Sequence, residues 1–419
     1  MFGSLTSRRL GPTAAFVLVG GLIWLALYAS ATPTPLYDIY QAKWGFSTLV
    51  LTLVYAVYPL GVLAALLTVG RISDEIGRRP VLLAALAGLI GADVLFLLAG
   101  SVEWLFAARI LQGITTGLAL GAAGAALIDL HPQRDGAKAG LVNGVVSPLG
   151  LGLGALVSAF LAQYVAGPLV APFLVLGVLL VIGLVGTLGL PEPVTRSGPA
   201  RFRPSAPRLP ASVRRPFAVA SLGVLASWSV GGVYLALGPA LAAELLHSSN
   251  HLAGGTAVVA LTIPAAVSQL LAHRVDPRRA ATWGALALAI GLAITVASLS
   301  TGSAAFFLAA SVITGAGFGV AFLGALRSLT AAIPETHRAE VMSAFYIVAY
   351  GSLAVPAIGA GIVAPSLGLQ STFELFAGAV ALIALAVAVA AGRAKPQEAA
   401  SVETTLSGSR NASAGVAAR

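Results

Sequence analysis

Residues 48–69 contain no charged side chain, and neither do residues 81–92. Between them lies Gly70-Arg71-Ile72-Ser73-Asp74-Glu75-Ile76-Gly77-Arg78-Arg79-Pro80. A turn this short and this charged, set between apolar runs this long, reads as a hairpin tip between two membrane spans. A hydrocarbon layer about 30 Å thick is crossed by roughly 20 residues of helix. Backbone groups in that layer find no water, so each run must satisfy its own hydrogen bonds as a helix.

The rest of the chain repeats the pattern. Apolar runs near 13–31, 48–69, 80–100, 104–128, 138–162, 168–190, 216–240, 251–272, 281–299, 303–327, 341–364 and 371–391 predict twelve spans. Hydrophobic residues make up 58% and charged residues 9%, against about 25% charged in an ordinary soluble domain. The polar helix faces that a large soluble core needs are missing. The expected fold class is therefore an all-α membrane protein, and the first run reads as a retained span rather than a cleaved signal peptide.

The arginines set the orientation. With the loops alternating sides, one side holds Arg8, Arg9, Arg71, Arg78, Arg79, Arg134, Lys138, six arginines between 196 and 215, Arg274, Arg278, Arg279, Arg327, Arg338 and the C-terminal tail; the other holds only Lys43. Positive charge collects in the cytoplasm, which places both termini there. The net charge of +9 then belongs to loops beside an anionic leaflet, and no basic patch interleaved with aromatics argues for nucleic acid. A composition rich in Ala, Gly, Leu and Arg with scarce lysine suggests a GC-rich bacterial genome, and the expected location is the bacterial inner membrane. There is no cysteine, hence no disulfide or thiolate metal site.

Shifting the chain on itself reveals a duplication. Trp24 and Pro35 find Trp228 and Pro239 204 residues later, and Pro59 finds Pro264 at 205. Asp74 finds Asp276, and Gly113 and Gly117 find Gly315 and Gly319, all at 202; Pro148 finds Pro356 at 208. These matches divide the chain into an N-terminal half (1–190), a cytoplasmic linker (191–215), a C-terminal half (216–391) and a disordered tail (392–419). The proline- and arginine-rich linker has no apolar face to bury.

The charged turn resembles the signature loop of the major facilitator superfamily of transporters in Gly70, Asp74, Gly77, Arg78 and Arg79, with Ile72 where that family prefers leucine. The run Arg109-Ile110-Leu111-Gln112-Gly113 followed by Gly117 resembles the family's fourth-span motif. Gly144, Pro148 and Gly152 resemble a fifth-span motif of proton-coupled drug exporters, with Ser147 and Leu151 standing where that motif has glycines. The resemblance implies twelve helices in two parallel six-helix repeats, with a substrate site at the midplane between them. It further implies a proton-coupling role for Arg109 and a cytoplasmic gate built from Gly70, Asp74, Gly77, Arg78, Arg79 and Asp129. In that gate Asp74 meets the start of span eleven near Glu340, and Arg78 pairs with Asp129.

Ionisable residues within a span cost on the order of 3 kcal/mol each by insertion scales, so Asp93 and Arg109 need partners or a purpose. Both lie about seven to nine residues from the turn at 101–103, hence at similar depth. They are expected to share a polar network and to serve proton coupling together, since a nearby cation alters a carboxylate's proton affinity. Candidate cavity residues are Trp24, Tyr28, Tyr55, Tyr58, Gln112, Asn143, Trp228, Tyr234, Gln269, Phe322, Tyr346 and Tyr350. Such a cavity suits amphipathic compounds, because aromatic rings offer broad apolar faces with a polar edge.

His131, His247, His251, His273 and His337 fall in or near loops without metal-ligand spacing. No P-loop, dinucleotide fingerprint or nucleophile constellation is present, so neither an enzyme nor a cofactor is expected. The leading expectation is a monomeric carrier working by alternating access, exporting small amphipathic organic compounds in exchange for protons. The rival readings are a proton-linked transporter of a sugar, organic acid or other metabolite, and a non-transporting receptor on the same fold.

Overall fold

The computed structural model describes residues 9–69, 72–131, 133–194, 209–247, 250–334 and 337–393. Gly70, most of the linker and nearly all of the tail lie outside the described residues. Fourteen α-helices account for nearly all of what is described: α1 (Pro12–Ala31), α2 (Tyr37–Trp44), α3 (Thr48–Val69), α4 (Ile72–Ile76), α5 (Arg78–Leu97), α6 (Val102–Leu130), α7 (Gly136–Tyr164), α8 (Ala171–Leu188), α9 (Arg214–Leu245), α10 (His251–Ala272), α11 (Pro277–Ser300), α12 (Ala304–Ala332), α13 (Arg338–Leu367) and α14 (Leu369–Arg393). The short α2 continues the direction of the first span and α4 forms the charged turn, leaving twelve helices long and apolar enough to cross a membrane. The helices end where local chemistry ends them. Asp135 accepts hydrogen bonds from the backbone of Ala137 and Lys138 at the start of α7, and Asp276 does the same for Arg278 and Arg279 in α11.

The first span departs from a plain helix. It breaks after Ala31, passes through a 3-10 turn at Thr34–Leu36, and resumes as α2. The cause is Thr32-Pro33-Thr34-Pro35: neither proline has an N–H to donate to the carbonyl four residues earlier. Pro33 thus leaves the Ala29 carbonyl without its helical partner. The matching span, α9, has Pro216 in its first turn and only Pro239 in its interior, and runs through the latter as one helix of 32 residues.

Small residues set the helix spacing. A Cβ on Gly113 of α6 would sit 2.3 Å from the Tyr58 carbonyl oxygen of α3, and one on Gly315 of α12 would sit 2.1 Å from the Leu261 carbonyl oxygen of α10. The duplicated glycines therefore perform the same close approach in each half, a packing mode typical of helices in lipid. Between the first six spans and the last six, α7 lies along α10 and α3 along α13. Within α7, Gly150 and Gly154 press on the carbonyls of Trp24 and Tyr28 in α1, while Gly144 and Gly152 face Gln269 and Thr262 of α10. The fifth-span motif thus lets one helix fit two partners at once.

Candidate functional site

The centre of the N-terminal half is a buried cation. Arg109 of α6 is 0% exposed. Its Nε donates to the Tyr37 hydroxyl at 2.6 Å, and Nη1 donates to the Ser30 carbonyl at 2.8 Å and to Gln112 Oε1 at 2.7 Å. Gln112 Nε2 in turn donates to the Ala29 carbonyl at 2.9 Å. These carbonyls are open because the first span breaks there, and a helix C-terminus carries roughly half a negative charge. The rings of Tyr37 and Tyr58 each lie 5.4 Å from the guanidinium carbon and that of Phe96 lies 6.0 Å away, adding cation–π attraction of about 0.5–2 kcal/mol per favourable ring.

Asp93 does not join this network, contrary to the expectation from depth. α5 presents Phe96 to Arg109, while Asp93 faces α8, where its Oδ2 lies 2.9 Å from where a Cβ on Gly177 would stand. Asp93 is buried, and its Oδ1 has no hydrogen-bond partner. Equal depth fixed only one coordinate; helix rotation sent the two side chains apart.

At the arginine-rich end, Arg78 is buried and gathers three acceptors. Its Nη1 donates to Ser73 Oγ at 2.6 Å and to Asp74 Oδ1, and its Nε donates to Asp129 Oδ2 at 3.0 Å. Asp74 is held within its own turn by Arg78; the contact expected of it at the start of α13 falls next to residues 335 and 336, which lie outside the described residues. Glu192 supplies what the sequence reading left to a solvated linker: its carboxylate accepts the backbone N–H groups of Arg78 and Arg79, each at 2.9 Å. It thereby caps α5, where the helix dipole favours an anion. Gly77 (φ 105°) makes room for it, since a Cβ there would lie 2.5 Å from Glu192 Oε2. Arg79 reaches the opposite helix pole, donating to the Thr187 and Leu188 carbonyls at the end of α8.

The aromatic candidates divide. Tyr58 and Val62 of α3 pack with Tyr346 and Tyr350 of α13 and Trp228 of α9, so this cluster bridges the first six spans and the last six. Trp228 meets Tyr350 edge-on at 5.1 Å and Phe322 at 5.5 Å, and Tyr346 lies 6.4 Å from Tyr350. Trp24 packs on Tyr28 at 5.1 Å. Tyr55 is buried with its hydroxyl unpaired, Gln269 faces Gly144, and Asn143 accepts a hydrogen bond from Ser147 at 3.1 Å on an exposed face. Tyr234 is not part of the bridging cluster. It turns into the C-terminal half, sharing a hydrogen bond of 3.0 Å with Ser311 and packing on Phe307 and Phe373.

A further feature was invisible in the sequence. At the arginine-poor end a cavity of about 220 Å³ is lined by Pro35, Asp38, Pro239, Ala243, Asn250, His251 and Gly254. Asp38 of α2 and His251 of α10 both line it, and Gln163 of α7 accepts the His251 backbone N–H at 2.8 Å. The only available signal was the pair Pro33 and Pro35, which marks a break but not what the break faces.

Comparison with known proteins agrees with this architecture. The structure of the human organic anion transporter MFSD10 (TETRAN) overlays with a TM-score of 0.63 at 18% identity, over 91% of this chain and 100% of that one. A POT family transporter in complex with 5-aminolevulinic acid gives 0.70 at 14% identity, over 93% of this chain and 98% of that one. At such identities the likeness concerns the fold. A triacylglyceride transporter of Mycobacterium tuberculosis (strain ATCC 25618 / H37Rv) is 36% identical over 116 residues, 26% of this chain and 22% of its own length. The multidrug resistance protein MdtL of Escherichia coli O139:H28 is 36% identical over 96 residues, 23% of this chain and 25% of its own. The matched stretches thus span about a quarter of these relatives. The model of the Major Facilitator Superfamily matches residues 17–275, more than half of the sequence, and the chain belongs to that family.

Proposed function

We propose that this multi-pass membrane transporter works by alternating access, exporting small amphipathic organic compounds in exchange for protons. In this reading residues 1–190 and 216–391 are the two rocking halves, joined by a cytoplasmic linker. The arginine-rich end faces the cytoplasm of a bacterial inner membrane, with both termini on that side. The functional unit is a monomer, with substrate and protons as its only small partners.

The observation that carries the reading is the Arg109 network. A fixed cation is wired through Tyr37 and Gln112 to the break in the first span, and it touches Tyr58, which packs against the other half. Rocking of the halves that moves Tyr58 changes the surroundings of Arg109. Asp38 and His251, one from each half, supply titratable groups at the opposite end from the Arg78 turn. Asp93, isolated against α8, is the weaker proton carrier. Arg78 with Asp74 and Asp129 latches the cytoplasmic side, and Glu192 extends the latch to the linker. The multidrug and triacylglyceride names of partial relatives support apolar or amphipathic cargo.

The test is the internal pH of proteoliposomes on addition of lipophilic cations, sugars and organic acids. Proton movement with a drug-like compound, lost in Arg109→Ala and reduced in Asp38→Asn or His251→Gln, is the expected result. Movement with a sugar alone turns the reading to metabolite transport. Movement that persists in Arg109→Ala removes Arg109 from coupling.

A further inference from the structure

Among the described residues, Arg109 is a fully buried guanidinium with no counter-anion. None of the ion pairs among the described residues includes Arg109. The end of α1 offers roughly half a negative charge against a full positive one, so about half of the cation remains uncompensated in a site closed to water. The imbalance has a direction. Nε and Nη1 are occupied, whereas Arg109 Nη2 is buried and bonded to nothing. Among the other buried groups in that condition is the hydroxyl of Tyr55, one helical turn along α3 from Tyr58, whose ring lies on the guanidinium. Buried polar groups are nearly always paired, and an unpaired guanidinium nitrogen with an unpaired hydroxyl one turn from the ring it stacks on calls for an acceptor.

We propose that the transported compound carries a carboxylate, and that Arg109 Nη2 and the Tyr55 hydroxyl receive it. The proposal rests on the transporter reading above and names the substrate class of that site. A carboxylate has two oxygens in one plane, one for the guanidinium N–H and one for the hydroxyl, as charge-assisted pairs require. A single negative charge matches what the helix end leaves over; a phosphate ester or dicarboxylate brings more charge than the site can balance. The remainder of the ligand faces the rings of Tyr58 and Phe96, which favours an apolar or aromatic body. Tyr58 also contacts Tyr350 of the other half, so an occupant of this site lies beside the seam that must open.

Binding of benzoate, acetate and butyrate to the purified full-length protein in nanodiscs, against benzamide, acetamide and butyramide at constant ionic strength, tests the proposal. At least one carboxylate is expected to bind tenfold or more tighter than its amide, with benzoate ahead of acetate. Arg109→Gln removes this preference, Arg109→Lys retains part of it, and Tyr55→Phe weakens it about threefold. Equal binding of acids and amides, binding untouched by Arg109→Gln in a folded variant, or no carboxylate binding at all overturns it. Internal pH recorded in parallel separates this from the parent reading. Proton-coupled movement of lipophilic cations without carboxylate binding sinks the substrate class alone. Carboxylate binding through Arg109 without proton movement sinks the coupling and leaves the substrate class standing.

Discussion

The first span and α9 descend from one repeat, yet they treat the same position in opposite ways. The 202-residue offset that pairs Gly113 with Gly315 places Ser311 opposite Arg109. In the C-terminal half an unbroken α9 brings Tyr234 to Ser311, a neutral hydroxyl pair sealed by Phe307 and Phe373. In the N-terminal half two prolines break the helix, open the Ala29 and Ser30 carbonyls, and let Gln112 and Arg109 fill them. One half holds a closed neutral contact and the other a cation short of charge. Chemistry in this carrier is thus asymmetric although its scaffold is repeated, and the asymmetry rests on a handful of substitutions.

The comparison can be broken most sharply at its charged end. Arg109→Ala is expected to lower gradient-driven transport at least a hundredfold in proteoliposomes, whereas Ser311→Ala leaves it within a factor of a few. Similar losses in both variants would dissolve the distinction. The scaffold, by contrast, is expected to behave symmetrically: Gly113→Leu and Gly315→Leu each force a side chain against a backbone carbonyl. Each should cost about 1–3 kcal/mol or more, read as comparable drops in melting temperature. Large divergence between them would show that the two halves do not share the packing.

Smaller effects sharpen the rest. Pro33→Ala returns an N–H to the Ala29 carbonyl and makes the first span more like α9. Transport is expected to fall several-fold with melting temperature nearly unchanged, because Gln112 loses sole claim to that carbonyl. Ser311→Ala removes two buried hydrogen bonds, with Tyr234 and to the Phe307 carbonyl, and should cost about 1–3 kcal/mol of stability, measured by thermal unfolding. The smallest effect is at Asp135, whose carboxyl is held below its usual range by the backbone N–H of Lys138 and then that of Ala137. A depressed carboxylate contributes stability that is present at neutral pH and lost as pH falls through its folded value. The difference between wild type and Asp135→Asn should therefore be visible at pH 7 and narrow below about pH 4.

Much of the scaffold was legible before the structure. Long uncharged runs mark helices because lipid leaves no other backbone solution, and the spans observed follow those runs closely. The duplicated glycines were legible too, since only a missing side chain permits the approach of Gly113 to Tyr58 and of Gly315 to Leu261. The site was legible only in its ingredients. Arg109, Gln112, Tyr58 and Tyr350 stand out as costly or amphipathic groups in spans. Their partners did not: Tyr37, the Ser30 carbonyl, Glu192 and the pair Asp38 and His251 look ordinary in the chain.

Sequence by itself determined that this chain is a twelve-helix membrane protein with an internal repeat, because hydrophobic length and charge bias act locally and along one dimension. Tertiary structure alone decided that Asp93 turns to α8, that Glu192 caps α5, and that Arg109 closes on a broken helix end with its Nη2 unspent. Those outcomes depend on how helices rotate about their axes and on which carbonyls a distant break sets free. Neither quantity is written in the residues that feel it.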